Sequence, residues 1–179
     1  AARLFRLSAE QGHVMGQKNL SKCFANGQGV TKDLVQAYRW TRLSAEQDDG
    51  EAQVMLGLIY ERGDGVEPDN AKAVAWYRKA AESGVPTAQM LLGLMYEQGN
   101  GVQKDIELAL YWYQRAADRG GGEMRHVLAT AYMNAPVGYR NIEEAYRLFQ
   151  LAADQGVAEA QVMMGMKYMT GESGPVDES

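Results

Sequence analysis

The chain has 179 residues, of which 46% are hydrophobic and 23% are charged, and its net charge is −5. That composition is ordinary for a folded chain and argues against disorder. The negative balance argues against a phosphate-binding surface, which needs clustered Lys and Arg, so nucleic acid is not expected among the partners. The single cysteine, Cys23, excludes an internal disulfide framework and is interpreted as a small core residue.

No membrane span is expected, because no apolar stretch approaches the roughly 18 to 20 residues that crossing a bilayer requires. A leader pattern, with a charged start, an apolar run and a small-residue cleavage site, is not visible either. The first residue is Ala1 and not methionine, so a removed leader or a shortened chain stays open.

The sequence repeats with a period of 36 residues. Twelve residues of the second repeat are identical to the residue 36 positions later, a number of matches that composition alone would not produce. They are Ala52, Gly57, Tyr60, Gly63, Gly65, Val66, Asp69, Ala73, Trp76, Tyr77, Ala80 and Gly84, which map onto Ala88, Gly93, Tyr96, Gly99, Gly101, Val102, Asp105, Ala109, Trp112, Tyr113, Ala116 and Gly120. A single array is predicted, with a half repeat at 1–12, full repeats at 13–48, 49–84, 85–120 and 121–156, and a half repeat with a tail at 157–179.

The first half of each repeat predicts a helix, here called helix A. In the second repeat its small and apolar residues fall on one helical face. That face consists of Ala52, Leu56, Gly57 and Tyr60. Gly57 returns as Gly93 and Gly165, although glycine within a helix costs about 1 kcal/mol relative to alanine. We therefore expect a neighbouring helix to approach closely at these glycines.

A short Gly-x-Gly-Val loop follows helix A and predicts a helix stop with positive φ at its glycines, as in Gly63–Val66. Asp69 is then the expected N-cap of the second helix, helix B. The same role falls to Asp33, Asp105 and Asn141. Asn141 with Glu144, and Asp33 with Gln36, resemble a capping box.

Helix B carries a second apolar stripe, formed by Ala73, Trp76, Tyr77, Ala80 and Ala81. Neither helix can bury its stripe alone, so successive helix pairs must stack into a superhelical solenoid with one curved inner surface. The aromatic residues expected in its core are Trp76, Trp112, Tyr60 and Tyr96. The rival interpretation, an exposed stacking platform for bases or sugars, fits less well because the rings alternate with alanines that permit tight packing.

The two strings, AxxxLGxxYxxGxGVxxD and AxxWYxxAAxxG, resemble the Sel-1-like repeat family, a relative of the tetratricopeptide repeats. The resemblance covers essentially the whole chain. It implies an all-α, right-handed α-solenoid of antiparallel helix pairs that acts as an adaptor in protein complexes. Bacterial members are similar in serving envelope, signalling or host-contact roles, so periplasm and cytoplasm both stay open as compartments.

The fourth repeat departs from the family pattern. Ala129 replaces the helix A glycine, Ala135–Gly138 replaces the Gly-x-Gly-Val loop, and Leu148 replaces the tryptophan. Gly120–Gly122, just before helix A of this repeat, would make a softer joint. These differences put the loop shape and the packing of the fourth repeat in question.

No catalytic, cofactor or metal site is expected. None of the serines has the lysine three places on that penicillin-recognising enzymes use. His13 and His126, with one cysteine, form no metal-ligand cluster. The Gly-x-Gly-Val loops are not phosphate cradles, because no strand precedes them and no GKS or GKT sequence follows. The alternative is a cell-envelope enzyme or cell-wall-binding accessory, since some cysteine-paired relatives have been linked to penicillin.

The partner-binding residues are expected on the concave helix A face, by analogy with tetratricopeptide-like arrays. They are helix A side chains outside the packing stripe, where methionines and leucines would form an adaptable groove for a protein or peptide partner. The alternative is that several of them merely pack between neighbouring A helices. The set comprises Lys18, Lys22, Glu51, Val54, Leu58, Glu61, Arg62, Met90, Leu94, Glu97, Gln98, His126, Thr130, Met133, Asn134, Val162, Met166 and Met169.

Overall fold

A computed structural model describes residues 1–169, and within this range all regular secondary structure is α-helical. The helices are α1 (Ala2–Glu10), α2 (Val14–Asn26), α3 (Leu34–Ala45), α4 (Gly50–Arg62), α5 (Asn70–Glu82), α6 (Pro86–Gln98), α7 (Ile106–Asn134), α8 (Ile142–Asp154) and α9 (Ala158–Met169). The predicted tail at 170–179 lies outside the described residues. Internal contacts divide the chain into an N-terminal body, Ala1–Lys104, and a C-terminal body, Asp105–Ser179.

The helices alternate as the repeat predicts. In the N-terminal body α2, α4 and α6 are A helices, while α1, α3 and α5 are B helices. In the C-terminal body α8 is a B helix and α9 is an A helix. Helix α7 joins a B helix to an A helix across Gly121, whose φ of 75° and ψ of −158° interrupt the helical path. The expected all-α fold of paired helices is therefore confirmed.

The predicted N-caps of the B helices are confirmed. The side chains of Asp33, Asp69, Asp105 and Asn141 each accept a hydrogen bond, at 2.9–3.0 Å, from the backbone N–H three residues on. The capping box at Asn141 is only half present. The Glu144 carboxylate accepts from the Arg147 guanidinium at 2.7 and 2.6 Å. Glu144 therefore pairs with Arg147 and does not accept from the Asn141 backbone N–H, which is the second bond of a capping box.

The Gly-x-Gly-Val loops have the predicted conformation. Gly63 and Gly65 have φ of 75° and 79°, which L side chains rarely adopt. The structure adds a second reason for the later glycine of each loop. A Cβ on Gly65 would collide with the backbone of Leu34, and one on Gly101 with the backbone of Asn70. In both cases the loop lies against the start of the preceding B helix.

The glycine in helix A is needed for close packing, as expected. A Cβ on Gly57 would collide with the ring of Tyr77 on α5. Tyr77 is completely buried, and Tyr113 is 3% exposed. For Gly165 the expectation stays a prediction: a Cβ there would meet nothing within 4 Å, but the segment that follows α9 lies outside the described residues.

The tryptophans are not the core residues that the sequence predicts. Trp76 and Trp112 are both half-buried, whereas Tyr60 and Tyr96 are buried as expected. Lys79 places its ammonium 5.5 Å from the centroid of the Trp76 ring. The tryptophan therefore borders the core, and the tyrosine that follows it fills the core.

The fourth repeat closes its loop despite its altered sequence. The Asn141 N–H donates to the Tyr132 carbonyl at 3.3 Å, the same bond that Asp69 makes to Tyr60 at 2.8 Å. Leu148, in the place of tryptophan, is only 4% exposed. The substitutions in this repeat therefore preserve the bond that closes the loop and the packing of helix B, although the C-cap of helix A is Ala135, with φ of −59° and ψ of 150°, and not a left-handed glycine.

A glutamine in helix A clamps each A helix to the preceding B helix. The amide groups of Gln17, Gln53, Gln89 and Gln161 donate to the carbonyl oxygen eight residues earlier, at 3.0–3.5 Å. The fourth repeat has Arg125 at this position, and its Nη1 is buried without a hydrogen-bond partner. A buried donor left unpaired destabilises a fold.

Replacing Arg125 with glutamine is expected to raise the free energy of unfolding by about 1 kcal/mol. The shorter amide would donate to the carbonyl of Ala117 as in the other repeats, and it would exchange an unpaired charged guanidinium nitrogen for a neutral amide oxygen, which is also buried without a partner in Gln53 and Gln89. Urea denaturation monitors the change. Gln53→Ala is the matched control, because it removes an existing clamp and should lower stability by about 1 to 2 kcal/mol. Loss of stability in Arg125→Gln would contradict this assignment.

Candidate helix A surface

A charged cluster joins the first two A helices of the N-terminal body. The Lys18 ammonium lies 3.1 Å from Asp49 and 2.6 Å from Glu51, and Lys22 lies 3.2 Å from Glu51. The Lys18 side chain is only 7% exposed. Asp49, which the sequence analysis missed, also caps α4 by accepting from the Ala52 N–H at 2.8 Å. A buried ammonium needs such partners to offset its lost hydration.

The electrostatics of the cluster follow from these contacts. Burial alone lowers the pKa of Lys18, but hydrogen bonds and attraction to Glu51 and Asp49 outweigh it, so the pKa is raised. The pKa of Glu51 is lowered, first by its hydrogen bond with Lys18 and then by that with Lys22. The cluster therefore stabilises the fold above the ordinary pKa of Glu and below that of Lys.

We expect Glu51→Gln to lower the free energy of unfolding at neutral pH by no more than about 1 kcal/mol, because the carboxylate is largely exposed. A lowered pKa means that the contribution of Glu51 is lost as the pH falls through its folded value. Urea titrations of both proteins should therefore differ at pH 7 and converge once the pH has fallen below the folded pKa of Glu51. A difference that persists in acid would contradict an ionic role for Glu51.

Beyond the cluster, the predicted lining of the N-terminal body divides into two kinds of side chain. Leu58, Met90 and Leu94 are half-buried, while Glu61, Arg62 and Gln98 are exposed. Val54 corrects the prediction, since it is 8% exposed and belongs to the packed interior.

The polar end of this surface is partly engaged by neighbouring side chains. Glu61 accepts a hydrogen bond from the Tyr77 hydroxyl at 2.7 Å. Burial, and then this bond, raise the pKa of Tyr77. Gln98 accepts from the Asn100 amide at 2.7 Å. Glu97 is half-buried and also interacts with a neighbour. Within residues 1–169, Arg62 makes no hydrogen bond or ion pair, so its guanidinium is available.

In the C-terminal body the predicted residues fall into a packed group and an open group. The His126 ring lies 5.5 Å from the Phe149 ring, and the Thr130 hydroxyl donates to the His126 carbonyl at 2.9 Å. Met133 is half-buried and Asn134 is exposed.

Among the predicted lining residues of the C-terminal body, those of helix α9 are open apolar side chains. Val162 is 55% exposed, Met166 is 57% exposed and Met169 is 88% exposed. Flexible thioethers such as these adapt to irregular apolar partners. Of the predicted lining residues, His126 and Thr130 therefore serve packing, whereas Val162, Met166 and Met169 are accessible apolar groups.

The described residues show no other chemistry at this surface. Residues 1–169 contain no group of three or more His, Cys, Asp or Glu side chains that could hold a metal ion. Cys23 is buried, as expected. No helix in this range has both the length and the apolar character for spanning a membrane.

Sequence reasoning missed two features of this surface, although both have a sequence signal. The glutamines of the clamp recur at 36-residue spacing at Gln17, Gln53 and Gln89 and again, after Arg125, at Gln161, which marks them as packing residues despite their polarity. Asp49 stands directly before helix α4, where an N-cap is favoured. Its pairing with Lys18, 31 residues earlier, follows only from the stacking of A helices.

Comparisons with known proteins agree with this geometry. The chain is 36% identical to a protective antigen of uropathogenic Escherichia coli that displays an SLR fold, with a TM-score of 0.88 over 96% of this chain and 37% of that one. It is 33% identical to a Sel1 repeat protein of Oxalobacter formigenes, with a TM-score of 0.81 over 88% of this chain and 64% of that one. The chain therefore spans less than two thirds of each of these relatives.

A more distant structure shows the fold alone. Helicobacter pylori cysteine rich protein B is 21% identical, with a TM-score of 0.54 over 68% of this chain and 87% of that one. No curated protein matches the sequence. The pattern of the Sel1 repeat matches residues 1–13, 14–49, 50–85, 86–121, 128–157 and 158–179. Six matched segments that extend over nearly the whole chain, on paired helices with the expected caps and loops, make this protein a member of the Sel1 repeat family.

Proposed function

We propose that this chain is a noncatalytic interaction scaffold that holds a segment of a partner protein on its helix A surface. Sel1 repeat proteins bind protein partners and commonly serve as interaction scaffolds. For this chain, the helix A surface of the N-terminal body means Leu58, Met90 and Leu94 with Glu61, Arg62 and Gln98. The open α9 surface means Val162, Met166 and Met169.

The observation that carries the proposal is the contrast between two leucines in the same A helix. Leu56 and Leu92 are completely buried, and they satisfy the packing of their helices. Leu58 and Leu94, two residues further along, stay half-buried. A partner segment with an apolar face would cover these two side chains, and a carboxylate beside that face would pair with Arg62. This is the pattern of an amphipathic segment in a groove.

Site-specific photocrosslinking tests the proposal. A photoreactive residue at Arg62 should give discrete crosslinked products in native lysate, and Leu94→Glu should reduce them at least tenfold by placing a charge in the apolar contact. The same photoreactive residue at Arg39 is the control, because Arg39 is exposed on helix B. Thermal melts confirm that the variants are folded.

The outcomes separate the candidate functions. Crosslinks that form equally at Arg39, or that survive Leu94→Glu, would contradict a helix A binding surface. In the C-terminal body, Met133→Glu and Met166→Glu extend the test to the remaining predicted residues. Turnover of a cell-wall fragment by the purified chain would instead support the envelope-enzyme alternative.

A further inference from the structure

A cavity of about 370 Å³ lies in the N-terminal body, between two successive B helices. It is lined by Arg6 and Glu10 of α1, Phe24 of α2, and Gln36 and Trp40 of α3. None of these residues belongs to the helix A surface. The cavity therefore needs an explanation beyond the proposed function.

The next repeat shows what occupies the corresponding place. Adding 36 to the lining residues gives Arg42, Glu46, Tyr60, Lys72 and Trp76. Here the phenol ring of Tyr38 packs edge-on against the Tyr60 ring, with centroids 5.8 Å apart and hydroxyls 3.0 Å apart. The pKa of Tyr38 is lowered, first by the Tyr60 hydroxyl and also by Arg42 and Lys72. Three of the five counterparts thus surround the Tyr38 side chain.

The half repeat at 1–12 lacks this ring. The counterpart of Tyr38 is Ala2, a buried residue whose side chain ends at Cβ. The half repeat at 1–12 therefore has a methyl group at the place where the next repeat carries the Tyr38 phenol beside Tyr60. The third B helix of this body, α5, carries Val74 at the same position, so Tyr38 is the aromatic residue of this position in the N-terminal body.

The polar groups around the cavity face solvent, since Arg6 and Glu10 are exposed and Gln36 is half-buried. In the repeat at 13–48 Arg42 donates to Glu46 at 2.8 Å. The equivalent side chains, Arg6 and Glu10, form no such pair. Across residues 1–169, neither they nor the Gln36 amide make a side-chain hydrogen bond. A ligand that enters here would meet donors and an acceptor as well as two aromatic rings.

We propose that this cavity binds the tyrosine side chain of a partner protein, with its ring in the place that Tyr38 occupies one repeat later. The ring would pack against Phe24 and Trp40. Its hydroxyl would meet Arg6, as that of Tyr38 meets Arg42. A cationic side chain fits less well, because the Arg6 guanidinium already lies 5.8 Å from the Phe24 ring centroid. Arg6 and Glu10 together leave the lining neutral, which suits an uncharged phenol.

The test uses p-cresol, the tyrosine side chain as a free molecule, and nuclear magnetic resonance of the indole N–H groups. We expect p-cresol to shift the Trp40 signal saturably, with a dissociation constant on the order of 1 to 20 mM for so small a ligand. The Trp76 and Trp112 signals should move much less. Toluene, which lacks the hydroxyl, should bind at least threefold more weakly, and Arg6→Met should remove that preference.

A variant that fills the cavity from within supplies the decisive comparison. Ala2→Tyr should abolish the p-cresol shift at Trp40, because its own phenol would take the site. Leu7→Tyr is the matched control, since it adds the same ring to an exposed position of α1 outside the lining. Equal shifts at all three tryptophans, or a Trp40 shift that survives in folded Ala2→Tyr, would overturn the proposal. Helix A variants such as Leu94→Glu should leave the binding of p-cresol unchanged. The test of this cavity and the test of the helix A surface can therefore fail separately.

Discussion

Tyr77→Ala is expected to lower the free energy of unfolding by about 3 to 5 kcal/mol, the range for removing a large buried aromatic side chain. The Tyr77 ring is completely buried and rests on Gly57, where no side chain of the helix could fill the space left behind. Trp76→Ala, at the adjacent half-buried position, should cost about half as much. Chemical denaturation of the two variants gives this order directly.

Tyr77→Phe is the matched control for the hydroxyl. It keeps the ring and removes the 2.7 Å hydrogen bond to Glu61, so we expect a loss of only about 0.5 to 1.5 kcal/mol. If Trp76→Ala proved more destabilising than Tyr77→Ala, the assignment of the core to the second aromatic of each pair would be wrong.

Gly65→Ala is expected to lower the free energy of unfolding by about 2 to 4 kcal/mol, since positive φ and a steric collision act together. Gly65 has φ of 79°, and a Cβ there would collide with the Leu34 backbone, which cannot move without displacing the start of α3. Thermal and urea denaturation measure the loss.

Gly138→Ala separates the two causes. Gly138 also has a positive φ, 102°, but a Cβ on it would meet nothing within 4 Å. This control should lose only about 1 kcal/mol, the cost of the backbone conformation alone. Equal losses in the two variants would show that the close approach at Gly65 contributes nothing.

The features that follow from the sequence are those governed by local backbone chemistry. Asp69 caps α5 because its carboxylate bonds an N–H three residues away. Gly63 ends α4 because glycine adopts positive φ without strain. Both causes act within a few residues, and the 36-residue period then copies them along the chain.

The candidate site was predicted less completely. The sequence assigns Leu58 and Val54 to the same lining, and the structure leaves Leu58 half-buried while Val54 is buried. Side chains three or four apart share a helical face, but the width of the accessible strip depends on how closely the adjacent helices pack. Sequence periodicity therefore predicts which helical face a side chain lies on, but it does not predict how far that side chain is buried.

By itself, therefore, the sequence determined the repeat, the succession of helices, their caps and their glycine turns. The tertiary structure alone decided that Tyr77 and not Trp76 fills the core, that Asp49 pairs with Lys18, and that a cavity lies between Arg6, Phe24 and Trp40. The physical reason is that caps and turns depend on neighbours along the chain, whereas burial, ion pairing and empty volume depend on neighbours in space.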